Sequence, residues 1–192
     1  MLKFKKRLDV RTFGDRVLRR KADAVPAVTA EIRNLAEAMN RAMQECDGIG
    51  IAAPQVGVSL RLVVFDVPFP EDKRDLSPGE AALLPLMPLA VVNPEIVSAS
   101  ESVCEREEGC LSVPKIFATV VRPERVVFRA MLLDGMTIEY ECGGLLGRCI
   151  QHELDHLDGT LFTDRVSPAE ARKIEHQLEQ LEEYGKKHNF RR

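Results

Sequence analysis

The sequence predicts an α+β fold, and three observations predict it. A stretch with helical spacing of apolar residues lies near the start. Five segments rich in Val, Ile and aromatic residues follow between positions 60 and 141. Helical spacing then returns after Gly143-Gly144 and continues to the end. The 192 residues suit one domain with one sizeable core, expected to span 1–192, and no internal repeat or linker interrupts it. The expected order is helix, antiparallel strands, central helix, terminal helix.

Each element has a local reason. Thr29 is a candidate N-cap, and Ile32, Leu35, Ala36, Met39 and Met43 recur at helical spacing before Asp47-Gly48, which places an amphipathic helix at 30–46. Strands are expected at 60–67, 90–100, 115–121, 125–133 and 136–141, with Asp134-Gly135 as a hairpin turn. The segment 68–89 carries Pro68, Pro70, Pro78, Pro85 and Pro88, cannot be a central strand and reads as a long surface loop. Leu145, Leu146, Cys149, Ile150, Leu154 and Leu157 restore the helical period up to Gly159. The last helix, 168–185, starts with Ser167 as N-cap, Pro168 at the first helical position and Glu170 completing a capping box; Ile174, Leu178 and Leu181 form its buried stripe.

Composition excludes several classes of function. Hydrophobic residues make up 45% and charged residues 30%, as in ordinary globular proteins. A net charge of −3 leaves no electrostatic footprint for direct nucleic-acid binding, and no basic run suggests a membrane surface. The longest apolar stretch, 81–92, is broken by Pro85 and Pro88 and is too short to span a bilayer. No apolar region follows the basic start, so a secretory signal is not expected, and Asp9 and Asp15 argue against a transit peptide; the expected location is cytoplasmic. The five cysteines, Cys46, Cys104, Cys110, Cys142 and Cys149, form an odd set that points to reduced thiols.

The strongest chemical signal is His152-Glu153-Leu154-Asp155-His156. Positions i and i+4 share a helix face, so both imidazoles can reach one metal, and Glu153 can reach a water bound to it. A catalytic site needs a third protein ligand and an open position. An extended zinc-protease motif would require histidine at 162, which is Phe162. Glu170, Glu175 or Glu179 from the last helix are alternatives, although surface charge explains them equally well. Cysteine is the remaining option, in Glu108-Gly109-Cys110-Leu111-Ser112; taken alone, Cys110 reads as a small buried hydrophobe.

Three segments in order resemble the signature motifs of the peptide deformylase family: GIGIAAPQVG (48–57), EGCLS (108–112) and QHELDHLDG (151–159). GDRVLR (14–19) is similar to a further N-terminal motif, with Arg16 where the family has proline. The similarity runs from about residue 9 to 170. The resemblance implies antiparallel β-sheets packed around the H-E-x-x-H helix, with N-terminal and C-terminal helices. The implied activity is removal of the formyl group from the N-terminal formylmethionine of newly made polypeptides. Cys110, His152 and His156 match the metal ligands and Glu153 the general base. Gln55 and the Leu111 N–H match the groups that polarise the formyl oxygen, and Gly50 matches a backbone contact to substrate. The loop 68–89 is longer than in short bacterial members, and Phe117 stands where several members carry a basic or polar residue.

Amide hydrolysis requires an activated water, a stabilised oxyanion and a protonated leaving amine. A divalent metal can lower the pKa of a bound water to about 7. Glu153 would take the water proton and deliver it to the nitrogen. The Leu111 N–H and Gln55 would supply oxyanion donors, each worth about 3–4 kcal/mol. Leu145, Cys149, His152 and His156 follow an i, i+4, i+7, i+11 stripe, so a methionine side chain can lie against Leu145 and Cys149 with Ile49 opposite; by pattern alone the same residues equally well face a core. Gln55 alone reads as a loop amide, and Gly48, Gly50 and Gly57 as turn glycines. An ion pair between Asp155 and Arg122 is also expected.

One thiolate with two imidazoles suits zinc or ferrous iron. The resemblance implies Fe2+ as the physiological ion, with Zn2+, Ni2+ or Co2+ able to replace it. Expected partners are N-formyl-Met nascent polypeptides, with transient ribosome contact. The competing readings are a zinc endopeptidase using a downstream glutamate, and a non-catalytic ribosome-associated module presenting helix 168–185.

Overall fold

Alternation within one short strand shows how the layers stack. A computed structural model describes residues 8–189 apart from 73. The first part of the basic N-terminal run, 1–7, lies outside the described residues. The helices are α1 (Ala30–Gln44), α2 (Pro78–Leu83), α3 (Gly144–Leu157) and α4 (Pro168–Asn189). The strands are β1 (Gly50–Ala52), β2 (Leu62–Phe65), β3 (Leu89–Ala99), β4 (Val103–Cys110), β5 (Val113–Pro123), β6 (Val126–Leu132) and β7 (Thr137–Cys142). Five of them form an antiparallel sheet in the order β1-β2-β3-β6-β7, and β4 and β5 pair as a separate hairpin. In β2, Val63 and Phe65 belong to the cluster shared with α3, whereas Leu62 and Val64 belong to the cluster shared with α1. Both faces of the sheet are therefore buried, which is why β2 reads as a continuous apolar run.

The helices follow their local signals. Thr29 Oγ1 accepts the Ile32 N–H at 3.5 Å, and Ile32, Leu35, Ala36, Met39 and Met43 are buried beneath α1. The hairpin β4–β5 packs Val113, Ile116, Ala118 and Val120 with Phe162 and Ile174, which joins α4 to the molecule through a third apolar cluster. Ser167 Oγ accepts the Glu170 N–H at 3.2 Å, yet Glu170 does not close the expected capping box. Its carboxylate turns instead to the Thr119 N–H of β5, at 3.4 Å, and to Lys173.

Two expectations need correction. The segment 68–89 is not simply a surface loop: it contains α2, and Leu83 and Leu84 enter the core under the sheet. Pro78 occupies the first turn of this helix, where its missing N–H costs nothing. Ser77 Oγ accepts the Glu80 N–H at 3.3 Å, and Glu80 Oε2 accepts the Ser77 N–H at 3.0 Å, a closed capping box. Ser77 Oγ also accepts the Gly143 N–H at 2.9 Å, at the start of α3. Strand β4 was also not expected, because its charged run Glu105 to Glu108 hides the alternation that leaves Glu108 buried.

That buried carboxylate joins hairpin to helix. Arg122 on β5 donates to Glu108 through Nε at 2.6 Å and Nη2 at 2.9 Å, and to Asp155 on α3 through Nη1 at 2.8 Å. The expected Asp155–Arg122 pair is thus present, and Arg165 adds a second partner to Asp155 at 2.7 Å. Burial alone would raise the Glu108 carboxyl, but hydrogen bonds from His152 and Arg122 outweigh it and hold it at about 2. Among the described residues, no helix is long and apolar enough to cross a membrane.

Removing Arg122 would take one of two guanidinium partners from each of two buried carboxylates, leaving Glu108 with Arg148 and Asp155 with Arg165. Arg122→Ala is expected to cost about 3–5 kcal/mol, lowering the melting temperature by roughly 10 °C in a thermal melt followed by circular dichroism. Cys142 gives a second expectation. Burial, with Glu80 and Glu141 nearby, pushes its thiol up to about 12 from the model-compound value of 9.0. A group whose folded pKa is raised contributes stability that is complete below about 9 and lost as pH rises toward about 12. Denaturant midpoints measured across that window should fall in the wild-type chain and fall less in Cys142→Ala.

Candidate metal centre

His152 and His156 stand on successive turns of α3, with ring centroids 5.1 Å apart. Cys110 ends β4 at a register irregularity, and the two-residue turn Leu111-Ser112 leads into β5. This places Cys110 Sγ 3.2 Å from His156 Nε2. Ligand atoms of Cys110, His152 and His156 all lie within 4.8 Å of one another. His152 Nδ1 is engaged by Glu108 Oε2 at 2.9 Å, which leaves Nε2 for the shared face. Such a bond to the far nitrogen fixes ring orientation in metal-binding histidines.

The residues fit a single divalent ion. One thiol and two imidazoles are the donor types that borderline metals prefer. Glu153 adds a second observation: it is 3% exposed, and its Oε2 has no hydrogen-bond partner among the described residues. A buried, unsatisfied carboxylate oxygen is costly unless something else meets it. Burial pushes the Glu153 carboxyl up to about 7, against the pull of His152 and Arg122 and with the help of Glu108 and Asp155.

Most of the expected residues meet at one cavity of about 540 Å³, lined by Ile49, Gly50, Gln55, Cys110, Leu111, Cys149, His152 and Glu153. His156 lies beneath this lining, 1% exposed. Gln55 is buried; its Oε1 accepts the Ala52 N–H at 2.8 Å, which turns Nε2 toward Ser112 Oγ at 3.3 Å and Cys110 Sγ at 3.5 Å. Gly50 is more than a turn glycine. A Cβ there would lie 2.6 Å from Glu153 Oε1 and 2.7 Å from Cys149 Sγ, so the bare backbone of β1 is what allows the strand to approach α3.

Leu145 lines the same cavity but is 46% exposed, so it borders the mouth rather than the depth. Phe117 is 58% exposed and also lines the cavity, its ring lying over Gly109, where an added Cβ would come within 2.5 Å of Phe117 Cε1. The downstream glutamates do not join the site: Glu170 is bonded to Thr119 and Lys173, and Glu175 and Glu179 are exposed. Three residues packed around the cluster have contacts that the sequence does not reveal: Glu108 on His152, Arg148 on Glu108, and Ser112 on Gln55. An arginine within an otherwise apolar helix, four positions before His152, was the available signal for Arg148.

The chain is similar to known proteins over most of its length. A family model described as polypeptide deformylase matches residues 7–172. "Peptide deformylase 2" of Gloeobacter violaceus is 47% identical over 159 residues, covering 83% of this chain and 79% of the relative. A plant peptide deformylase crystal structure superposes with a TM-score of 0.83 at 33% identity, covering 98% of this chain and 97% of that one. A peptide deformylase from Synechococcus elongatus, solved with actinonin, superposes with a TM-score of 0.76 at 38% identity, covering 90% and 86%. The chain belongs to the polypeptide deformylase family of hydrolases.

Proposed function

We propose that this chain removes the formyl group from the N-terminal formylmethionine of newly synthesised polypeptides and releases formate. The whole chain serves as one catalytic unit, in the cytoplasm, on nascent polypeptides that it meets at or near the ribosome. The observation that carries the reading is the buried, unpartnered Glu153 oxygen beside the Cys110–His152–His156 cluster. Those three side chains would hold one divalent ion, Fe2+ physiologically, with Zn2+, Ni2+ or Co2+ as substitutes. When bound, the ion supplies Lewis acidity and lowers the pKa of water.

The remaining work falls to the chain itself. Glu153 Oε2 accepts a proton from water and returns it to the departing amine nitrogen; a carboxyl held near 7 is matched to both directions of transfer. Gln55 Nε2 and the Leu111 N–H are donors beside the cluster for the oxygen that gains charge. Gly50 offers backbone to the substrate where no side chain fits. Ile49 and Cys149 line the apolar part of the cavity and accept the methionine side chain, with Leu145 at its entrance.

Anaerobically purified protein should contain about one equivalent of metal and release formate from formyl-Met-Ala-Ser; metal-loaded protein that releases none would overturn the reading. Chelation should abolish turnover, and added Fe2+ or Co2+ should restore it. Glu153→Gln is expected to lower kcat by about 10²–10⁴-fold while keeping its metal. Cys110→Ala should lose the metal, whereas an endopeptidase relying on a later glutamate would keep it.

A further inference from the structure

Arg148 is 7% exposed on the second turn of α3, among apolar neighbours. The helix does not want it there. A cation near a helix N-terminus opposes the helix dipole, and burying a guanidinium costs several kcal/mol of desolvation. A well-packed apolar side chain of similar volume would serve helix packing at least as well. What Arg148 contacts gives the reason for its place. Nη1 donates to Glu108 Oε1 at 2.7 Å and to Val120 O at 3.1 Å, and Nη2 donates to Cys104 O at 2.8 Å. One side chain of α3 is thereby fastened to both strands of the β4–β5 hairpin.

The carboxylate of Glu108 completes the link. Its Oε1 takes Arg148, and its Oε2 takes His152 Nδ1 at 2.9 Å. Arg148 and His152 lie one turn apart on α3, so Glu108 is held against two successive turns of the helix that bears both imidazoles. Two residues further along β4 is Cys110. The positions of thiol and imidazoles come from different elements, and this clamp spans the gap between them.

We propose that Arg148 is a positioning residue for the metal centre: by clamping Glu108 it fixes how helix α3 approaches strand β4, and so sets how tightly the ion is held. This rests on the metal-binding reading above. Without Arg148, Arg122 still neutralises Glu108 and links it indirectly to α3 through Asp155, but the carboxylate loses its one direct contact with α3 other than the His152 ligand. Partners of metal ligands typically change affinity by about 10–100-fold when removed.

The test is Zn2+ affinity, measured by competition with a chromophoric chelator on the metal-free full chain, alongside thermal melts of the same samples. Arg148→Met is expected to weaken Zn2+ binding about 10–100-fold in protein that remains folded. Arg148→Lys, which keeps the charge but not the fork, should fall between it and wild type. If Arg148 acts through Glu108, adding Arg148→Met to Glu108→Gln should weaken binding by no more than about twofold further. Folded Arg148→Met with wild-type affinity overturns the proposal, as do losses that multiply in the double variant. Should Arg148→Met fail to fold, Arg148→Lys decides: weaker binding supports the role and unchanged binding ends it. Cys110→Ala separates the two claims, because wild-type Zn2+ affinity there would overturn the metal site itself.

Discussion

A carboxylate with almost no access to water, Glu108, is the constraint on which the rest of the structure turns. It lies on β4, is reached by two guanidinium groups from β5 and α3, and touches one imidazole of the candidate metal centre. Charges so placed are expensive in isolation and tolerable only as a set. The set therefore admits few arrangements, and its members come from β4, β5 and α3. The buried apolar residues of the hairpin and of the helix belong to separate clusters, so the tie between them is made by donors and acceptors with definite directions.

The same economy of position is visible around Glu153. Polar groups at the cavity are mostly engaged: Gln55 on Ala52 and Ser112, His152 on Glu108, Asp155 on Arg122 and Arg165. Among the described residues, Glu153 Oε2 and His156 Nδ1 have no such partner. Two unsatisfied atoms on one helix, beside three side chains of metal-binding type, set this part of the cavity apart from its paired surroundings. Gly50 brings strand backbone to that place and leaves no volume for a competing side chain.

Much of this was readable in advance, and the reasons differ by residue. The histidine pair was legible because i, i+4 spacing is a local property of one helix. Helices α1 and α3 and strands β3, β5, β6 and β7 were legible from periodicity and turn residues. The segment that holds helix α2 reads as a loop because five prolines dominate its pattern, although Ser77-Pro78-Gly79-Glu80 carries the same starting signature as Ser167-Pro168-Ala169-Glu170. Only the former closes its box; in the latter Glu170 has a better partner in the Thr119 N–H, and no local pattern reveals a donor fifty residues away. Strand β4 and the roles of Glu108 and Arg148 were hidden for a related reason. A buried charge looks like a surface charge until its partners are known, and those partners are set by tertiary contact.

Ser77 Oγ has a consequence that reaches beyond its own short helix. Besides serving α2, it accepts the Gly143 N–H, one of the amides at the threshold of α3 that have no acceptor within the helix. Helix α3 thus takes the acceptor for that amide from the excursion that precedes β3. A chain trimmed in that excursion would have to find a new acceptor for the amide, so length variation there is coupled, through one hydroxyl, to the start of the helix that carries the two imidazoles.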